Sequence, residues 1–142
     1  MEQHGYGFSI TTPLSYTAAV DAVTAALKTE GFGVLTTIDM QATLKQKLNV
    51  DMPAYTILGA CNPPLAHRAL SAEPEIGLLL PCNVVVYTTA TGATTISAID
   101  PEAQFALVQR VDLAELAQEV GARLRRALAH VPVTESPSTQ SA

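Results

Sequence analysis

The sequence predicts one α+β domain over residues 1–131, with a largely antiparallel sheet of about five strands covered by helices. Two observations predict this class. Strand-like and helix-like segments follow each other along the chain. In the strand-like segments the apolar residues alternate or run continuously, and in the helix-like segments they recur at helical spacing. Near residue 90, two strand-like segments are separated by a short turn, which is typical of an antiparallel hairpin. The chain has 142 residues and is 48% hydrophobic, enough for one core.

The first third of the chain predicts a strand, a helix and a second strand. The first strand has alternating apolar residues: Tyr6, Phe8 and Ile10. Ser15 suits the N-cap of the helix that follows, and Gly31 suits the left-handed position that ends it. The second strand, residues 32–39, is predicted to place four side chains on one side: Phe32, Val34, Thr36 and Ile38.

The middle of the chain predicts a helix over residues 41–48, with Leu44 and Leu48 pointing inward, and a strand over residues 54–60. Asn62 is a suitable N-cap for a short helix over residues 63–71, because a proline is tolerated at the first helical position.

Two apolar runs, residues 76–80 and 83–88, are predicted as two halves of a central strand. Pro81 lies between them and marks a bulge or break, because proline cannot donate a hydrogen bond to the sheet. Residues 94–99 then pair back as a hairpin.

The last part of the chain predicts two helices. Asp100 caps a short helix that ends near Val108, and Asp112 with Glu115 forms a capping box for a long final helix. The buried side of that helix carries Leu113, Leu116, Val120, Leu124 and Leu128. The polar residues 132–142 are predicted to be a disordered C-terminal tail.

The net charge of −5 argues against nucleic-acid binding, which needs clustered Lys and Arg. The N-terminus has neither the basic nor the apolar region of a signal peptide, and no apolar run approaches the roughly 20 residues of a membrane span. We therefore expect a cytoplasmic protein that binds neither nucleic acid nor membrane. Charged residues make up only 15% of the chain, and such a neutral surface favours a homodimer.

Two cysteine-containing segments resemble a known family. Residues 57–63 read ILGACNP, and residues 78–86 read LLLPCNVVV. With GFGV at 31–34 and AIDP at 98–101, they resemble the bacterial family called domain of unknown function 302, over about residues 6 to 131. The resemblance implies a compact α+β fold that is commonly a dimer. It implies no established activity.

Cys61 is the most informative position, because it comes directly before the predicted helix N-terminus at Asn62. Unsatisfied N–H groups and the helix dipole favour a thiolate there. Cys82 follows Pro81, where a bulge would aim its sulfur at a cavity. The alternative for both cysteines is that they pack as small apolar core residues.

A metal site is a second interpretation of the same residues. If the two strands are neighbours, Cys61 and Cys82 meet at one end of the sheet, and His67 on the following helix supplies an imidazole. Two thiolates and an imidazole suit copper(I) or zinc. The candidate cofactors are these two metals and, in addition, haem. The alternative for His67 is an exposed surface residue.

The function predicted from these residues is binding of a metal ion, a metal cofactor or another small ligand. The candidate ligand-binding residues are Tyr55, Cys61, Asn62, Cys82 and Asn83. Two alternatives remain open: a thiol-dependent enzyme or redox or sulfur carrier that uses Cys61, and an interaction module whose cysteines are only structural.

Overall fold

The computed structural model describes residues 1–134. The strands within this range are β1 (Glu2–His4), β2 (Gly7–Thr12), β3 (Gly33–Asp39), β4 (Tyr55–Cys61), β5 (Cys82–Thr88) and β6 (Thr94–Ile99). The α-helices are α1 (Tyr16–Thr29), α2 (Met40–Leu48), α3 (Pro63–Ala72), α4 (Pro101–Phe105) and α5 (Val111–Ala129). Two short 3-10 helices cover Pro74–Leu79 and Ala106–Val108.

The strands form one antiparallel sheet in the order β1-β2-β6-β5-β4-β3. The predicted α+β class is confirmed, with six strands in place of about five. The additional strand is β1, which pairs with β2 from Glu2 opposite Ser9 to His4 opposite Gly7. Its sequence, EQH, contains no apolar residue, so periodicity gave no signal for it.

The core lies between one face of the sheet and the helices. Strand side chains that are almost fully buried alternate with less buried ones, as expected when helices cover a single face. Among them are Phe8, Leu58, Val84, Val86 and Ile96. Helices α1 and α5 pack against this face and against each other, and the predicted apolar side of α5 is buried.

Most predicted helix ends are confirmed. The Ser15 side chain accepts a hydrogen bond from the Ala18 amide at the start of α1. Gly31 has φ +84°, the left-handed conformation that suits the end of that helix. Asp100 caps α4 by accepting from the Glu102 amide.

The predicted strand at residues 76–80 is wrong, because residues 76–79 belong to the 3-10 helix at Pro74–Leu79 and Leu80 is its C-cap. Glu73 caps it by accepting a hydrogen bond from the Glu75 amide. Ile76 is buried, whereas Leu78 is exposed. A short apolar run predicts burial without distinguishing a strand from a helix.

Three side-chain placements also differ from the predictions. Tyr6 lies in the turn before β2 and is exposed, so it does not share the alternation of that strand. Leu48 is exposed because α2 lies at the sheet edge and buries none of its residues. The predicted capping box is absent, since α5 begins at Val111 and Asp112 pairs instead with Arg110.

Most of the predicted tail, residues 135–142, lies outside the described residues. Within the described part, the Thr134 amide donates a hydrogen bond to the Thr11 carbonyl at 2.7 Å. None of the helices in residues 1–134 is long and apolar enough to cross a membrane.

Candidate functional site

The two cysteines come together where β4 ends and β5 begins. In the pairing of these strands, Ala60 lies opposite Cys82, and Cys61 is the next residue of β4. Both cysteines are free thiols, Cys82 buried and Cys61 partly exposed. The predicted proximity of the two residues is therefore observed.

Asn62 connects this strand end to helix α3. Its side-chain Oδ1 accepts a hydrogen bond from the Leu65 amide at 3.4 Å, as predicted for an N-cap. Its Nδ2 donates to the Glu30 carbonyl at the end of α1 at 3.2 Å. Arg123 also donates to that carbonyl through Nη1, at 3.4 Å. Because both polar atoms of the buried Asn62 side chain are engaged, this residue fixes the helix and offers a ligand little hydrogen-bonding capacity.

Pro81 occupies the predicted break before β5, and the peptide bond that precedes it is cis. The Pro81 ring packs over Gly59 of β4, where a Cβ would lie 2.8 Å from the proline Cγ and closer still to Thr36 Oγ1 of the paired strand β3. A glycine is therefore required at this position, because both Thr36 and Pro81 approach the β4 backbone here.

An apolar cavity of about 280 Å³ lies between the sheet and helices α3, α4 and α5. Cys61 and Cys82 both line it. Apolar side chains form most of its wall: Phe32, Leu65, Leu80, Phe105, Leu116 and Val120. The cavity thus has the composition of a small-molecule site, in which apolar walls surround a few groups of distinct chemistry.

The protonation of Cys82 follows from this environment. Burial raises the pKa of the Cys82 thiol from 9.0 to about 11, and the charge of neighbouring Cys61 contributes to the rise. At neutral pH the Cys82 side chain is therefore a neutral thiol. It contributes a polarisable sulfur to the cavity without a charge.

A β-bulge shapes the mouth of the cavity. Val34 pairs with Ala60 and Thr36 pairs with Gly59, so Leu35 is an extra residue in edge strand β3. Leu35 lines the cavity although its side chain is 67% exposed. The sequence had predicted that Val34 and Thr36 lie on one side of the strand. This prediction is wrong, because the bulge between them interrupts the alternation of side chains.

The remaining predicted site residues lie elsewhere. His67 is exposed on α3 and lines a separate depression with Arg68 and Asp112. Within residues 1–134, no three His, Cys, Asp or Glu side chains are grouped so that they could hold a metal ion. Tyr55 and Asn83 line a depression on the open face of the sheet. Only Cys61, Asn62 and Cys82 of the predicted set share the apolar cavity.

The structure also adds residues that sequence reasoning did not select. Phe32, Leu35 and Phe105 line the cavity from segments far apart in the chain. Their apolar character indicated burial, but no local pattern connects them to the cysteines. The bulge at Leu35 had no sequence signal, because neither glycine nor proline marks it.

These features define the class of protein: a small antiparallel α+β domain with two free cysteines in one apolar cavity. A family model described as "Domain of unknown function DUF302" matches residues 8–131. The chain therefore belongs to the DUF302 family, as its two cysteine-containing segments had indicated.

One solved structure is similar over nearly the whole chain. It is the crystal structure of an uncharacterized conserved DUF302 protein from Bacillus stearothermophilus, which is 28% identical with a TM-score of 0.84. The similarity covers 90% of this chain and 99% of that chain. A comparison with curated proteins found no match.

Proposed function

We propose that this protein binds a small molecule in the cavity lined by Cys61 and Cys82. The observation that carries the proposal is the convergence of both thiols on one apolar cavity of about 280 Å³. Such cavities, with a few distinctive groups in an apolar wall, are the usual form of a small-ligand site. The volume corresponds to roughly nine water molecules at about 30 Å³ each, which favours a ligand of the size of a single aromatic ring system.

The test uses indole as a neutral apolar probe, followed by amide chemical shifts in heteronuclear NMR. We expect saturable shifts confined to residues around the cavity. Ala66→Leu introduces extra side-chain volume at a position that lines the cavity. We expect the added volume to cost indole about 1.4 kcal/mol of favourable contact, which corresponds to about tenfold weaker binding to this variant.

The matched control is Ala72→Leu. Ala72 lies on the same helix and is also half-buried, but it lines a different depression. This variant should bind indole like the wild type. Shifts that do not saturate, or that spread over the surface, would contradict the proposal, as would equal weakening by both variants.

A second candidate is a soft metal ion, favoured by the two thiols in one cavity. Copper(I) prefers thiolate ligands, and binding would displace the proton from Cys82. The test is a titration with copper(I) in competition with a chromophoric copper(I) chelator, under reducing, oxygen-free conditions. Uptake of zinc and of haem is measured separately. Stoichiometric uptake that is lost in both Cys61→Ser and Cys82→Ser, but kept in His67→Ala, would support a two-thiolate site. Uptake that both cysteine variants retain would exclude it.

Thiol chemistry at Cys61 remains the alternative to binding alone. Its support is the position of Cys61 directly before the N-cap of α3. The described residues that line the cavity include no His, Asp or Glu to act as a general base. Rapid and selective alkylation of Cys61 in the folded protein, relative to a free thiol at the same pH, would favour this alternative over simple binding.

The homodimer remains a prediction, and we propose the open face of the sheet as its interface. Strands β2, β4, β5 and β6 contain no charged residue. On this face the rings of Tyr55 and Tyr87 stack with their centroids 5.3 Å apart, and Val85 lies beside them in the same depression. An uncharged face can pair with a second copy without like-charge repulsion.

A further inference from the structure

The wall of the cavity carries no charged side chain among the described residues. Its one amide side chain, Asn62, already bonds to the Leu65 amide and the Glu30 carbonyl. Its buried thiol, Cys82, is neutral at physiological pH because burial raises its pKa. A charged group that entered the cavity would therefore lose its hydration without gaining an opposite charge.

The mouth of the cavity is apolar as well. Leu35 reaches it through the β-bulge of β3, and Leu70 reaches it from α3. Their side chains are 67% and 41% exposed, respectively. Bulges often redirect a side chain beside a functional site, and here the bulge places a solvent-exposed leucine at the edge of the cavity.

We infer that the cavity selects an uncharged, apolar ligand, and that Leu35 at its mouth contacts the part of the ligand that faces solvent. This inference rests on the proposed binding function and names its ligand class. It excludes carboxylates, phosphates and ammonium compounds as occupants. Neutral compounds with a single hydroxyl or carbonyl remain acceptable, because an apolar pocket rejects such groups only weakly.

The expected discrimination is large because it depends on desolvation of an ion. Burying an unpaired charge costs several kcal/mol even after the protein relaxes. Since each factor of ten in affinity corresponds to about 1.4 kcal/mol, an ionic ligand should bind at least about 100-fold more weakly than a neutral one of the same shape. Size alone would give no such difference.

Two pairs of probes with closely similar shapes test the ligand class: acetophenone against benzoate, and benzyl alcohol against benzylammonium. Binding to the wild-type protein is measured at neutral pH from the amide shifts around the cavity. We expect saturable binding of acetophenone and benzyl alcohol and at least about 100-fold weaker binding of the two ions. If benzoate or benzylammonium binds within threefold of its neutral partner, the inference is overturned and the proposed function stands. If neither neutral probe nor indole binds, both are overturned.

The role of Leu35 has its own test. Leu35→Ser removes an apolar side chain that is already mostly exposed, so the fold should tolerate it. Leu48→Ser is the matched control, because Leu48 is 66% exposed and does not line the cavity. We expect Leu35→Ser to weaken acetophenone binding about three- to tenfold, from the loss of up to about 1.4 kcal/mol of apolar contact. Equal affinity in the two variants would overturn the role of Leu35.

Discussion

Replacing Cys82 by alanine should make the fold more tolerant of alkaline pH. Cys82 is 5% exposed, and burial followed by the charge of Cys61 raises its pKa from 9.0 to about 11. In the unfolded chain the Cys82 thiol has its ordinary pKa. Between pH 9.0 and about pH 11, the unfolded state has therefore lost a proton that the folded state keeps. The stability that depends on the protonated thiol is therefore complete below pH 9 and is lost as the pH rises toward 11.

The magnitude follows from the same two values. The interval from 9.0 to about 11 corresponds to about 2.7 kcal/mol, at 1.36 kcal/mol for each tenfold change in proton affinity. About half of this, ~1.4 kcal/mol, should be lost by pH 10. The pKa of Tyr55 is also raised, by burial and then by Tyr87 and Tyr6. Its contribution cancels because both proteins contain it.

The assay is urea denaturation of the wild type and Cys82→Ala at pH 7, 9 and 10, with a reductant present. The space left by the missing sulfur lowers the stability of the variant at every pH. The informative quantity is therefore how the difference in free energy of unfolding between the wild type and the variant changes with pH. Relative to the variant, the wild type should lose about 1.4 kcal/mol between pH 7 and pH 10. A constant difference over this range would refute the reasoning. So would thiolate absorbance that rises near pH 9 in folded Cys61→Ser.

Three other predictions concern packing, capping and assembly. Gly59→Ala should lower the free energy of unfolding by about 1–3 kcal/mol through clashes with Thr36 and Pro81. In urea denaturation, Gly33→Ala is the control, because no atom lies within 4 Å of its added Cβ; equal costs would contradict the packing argument. Asn62→Ala should cost about 1–2 kcal/mol in the same assay, since it removes the N-cap and a buried donor; an unchanged midpoint would contradict this role. Val85→Glu should shift a wild-type dimer toward monomer in sedimentation equilibrium, because it buries a charge in the proposed interface. A wild-type monomer, or a variant of unchanged mass, would exclude that interface.

Local chemistry made much of the fold predictable. Ser15, Asn62 and Asp100 each have a side-chain oxygen that caps a helix start, and such caps depend only on residues two or three positions away. The buried side of α5 follows from helical periodicity. The β5–β6 hairpin follows from two apolar strands on either side of a short turn.

The elements that sequence reasoning missed depend on distant partners. Strand β1 is polar and exists by pairing with β2. The segment Pro74–Leu79 is a different case, because its misassignment is local: it is apolar enough for a strand, but the adjacent Glu73 caps it as a 3-10 helix and Leu70 of α3 packs nearby. The cavity was only partly predictable because it depends on distant partners, as β1 does. Its cysteines lie in recognisable segments, whereas Phe32 and Phe105 reach it only through the tertiary fold.

Cys61 and Cys82 resemble each other in sequence, since each is followed by asparagine and lies within two residues of proline. Their surroundings differ. Cys61 ends a strand directly before a capped helix and is partly exposed, whereas Cys82 is buried opposite Ala60 and its raised pKa keeps it neutral. A soft metal would require the Cys82 proton to leave, while an uncharged ligand would not. Because the apolar wall and Leu35 at its mouth provide no compensating charge, the arrangement favours the uncharged ligand.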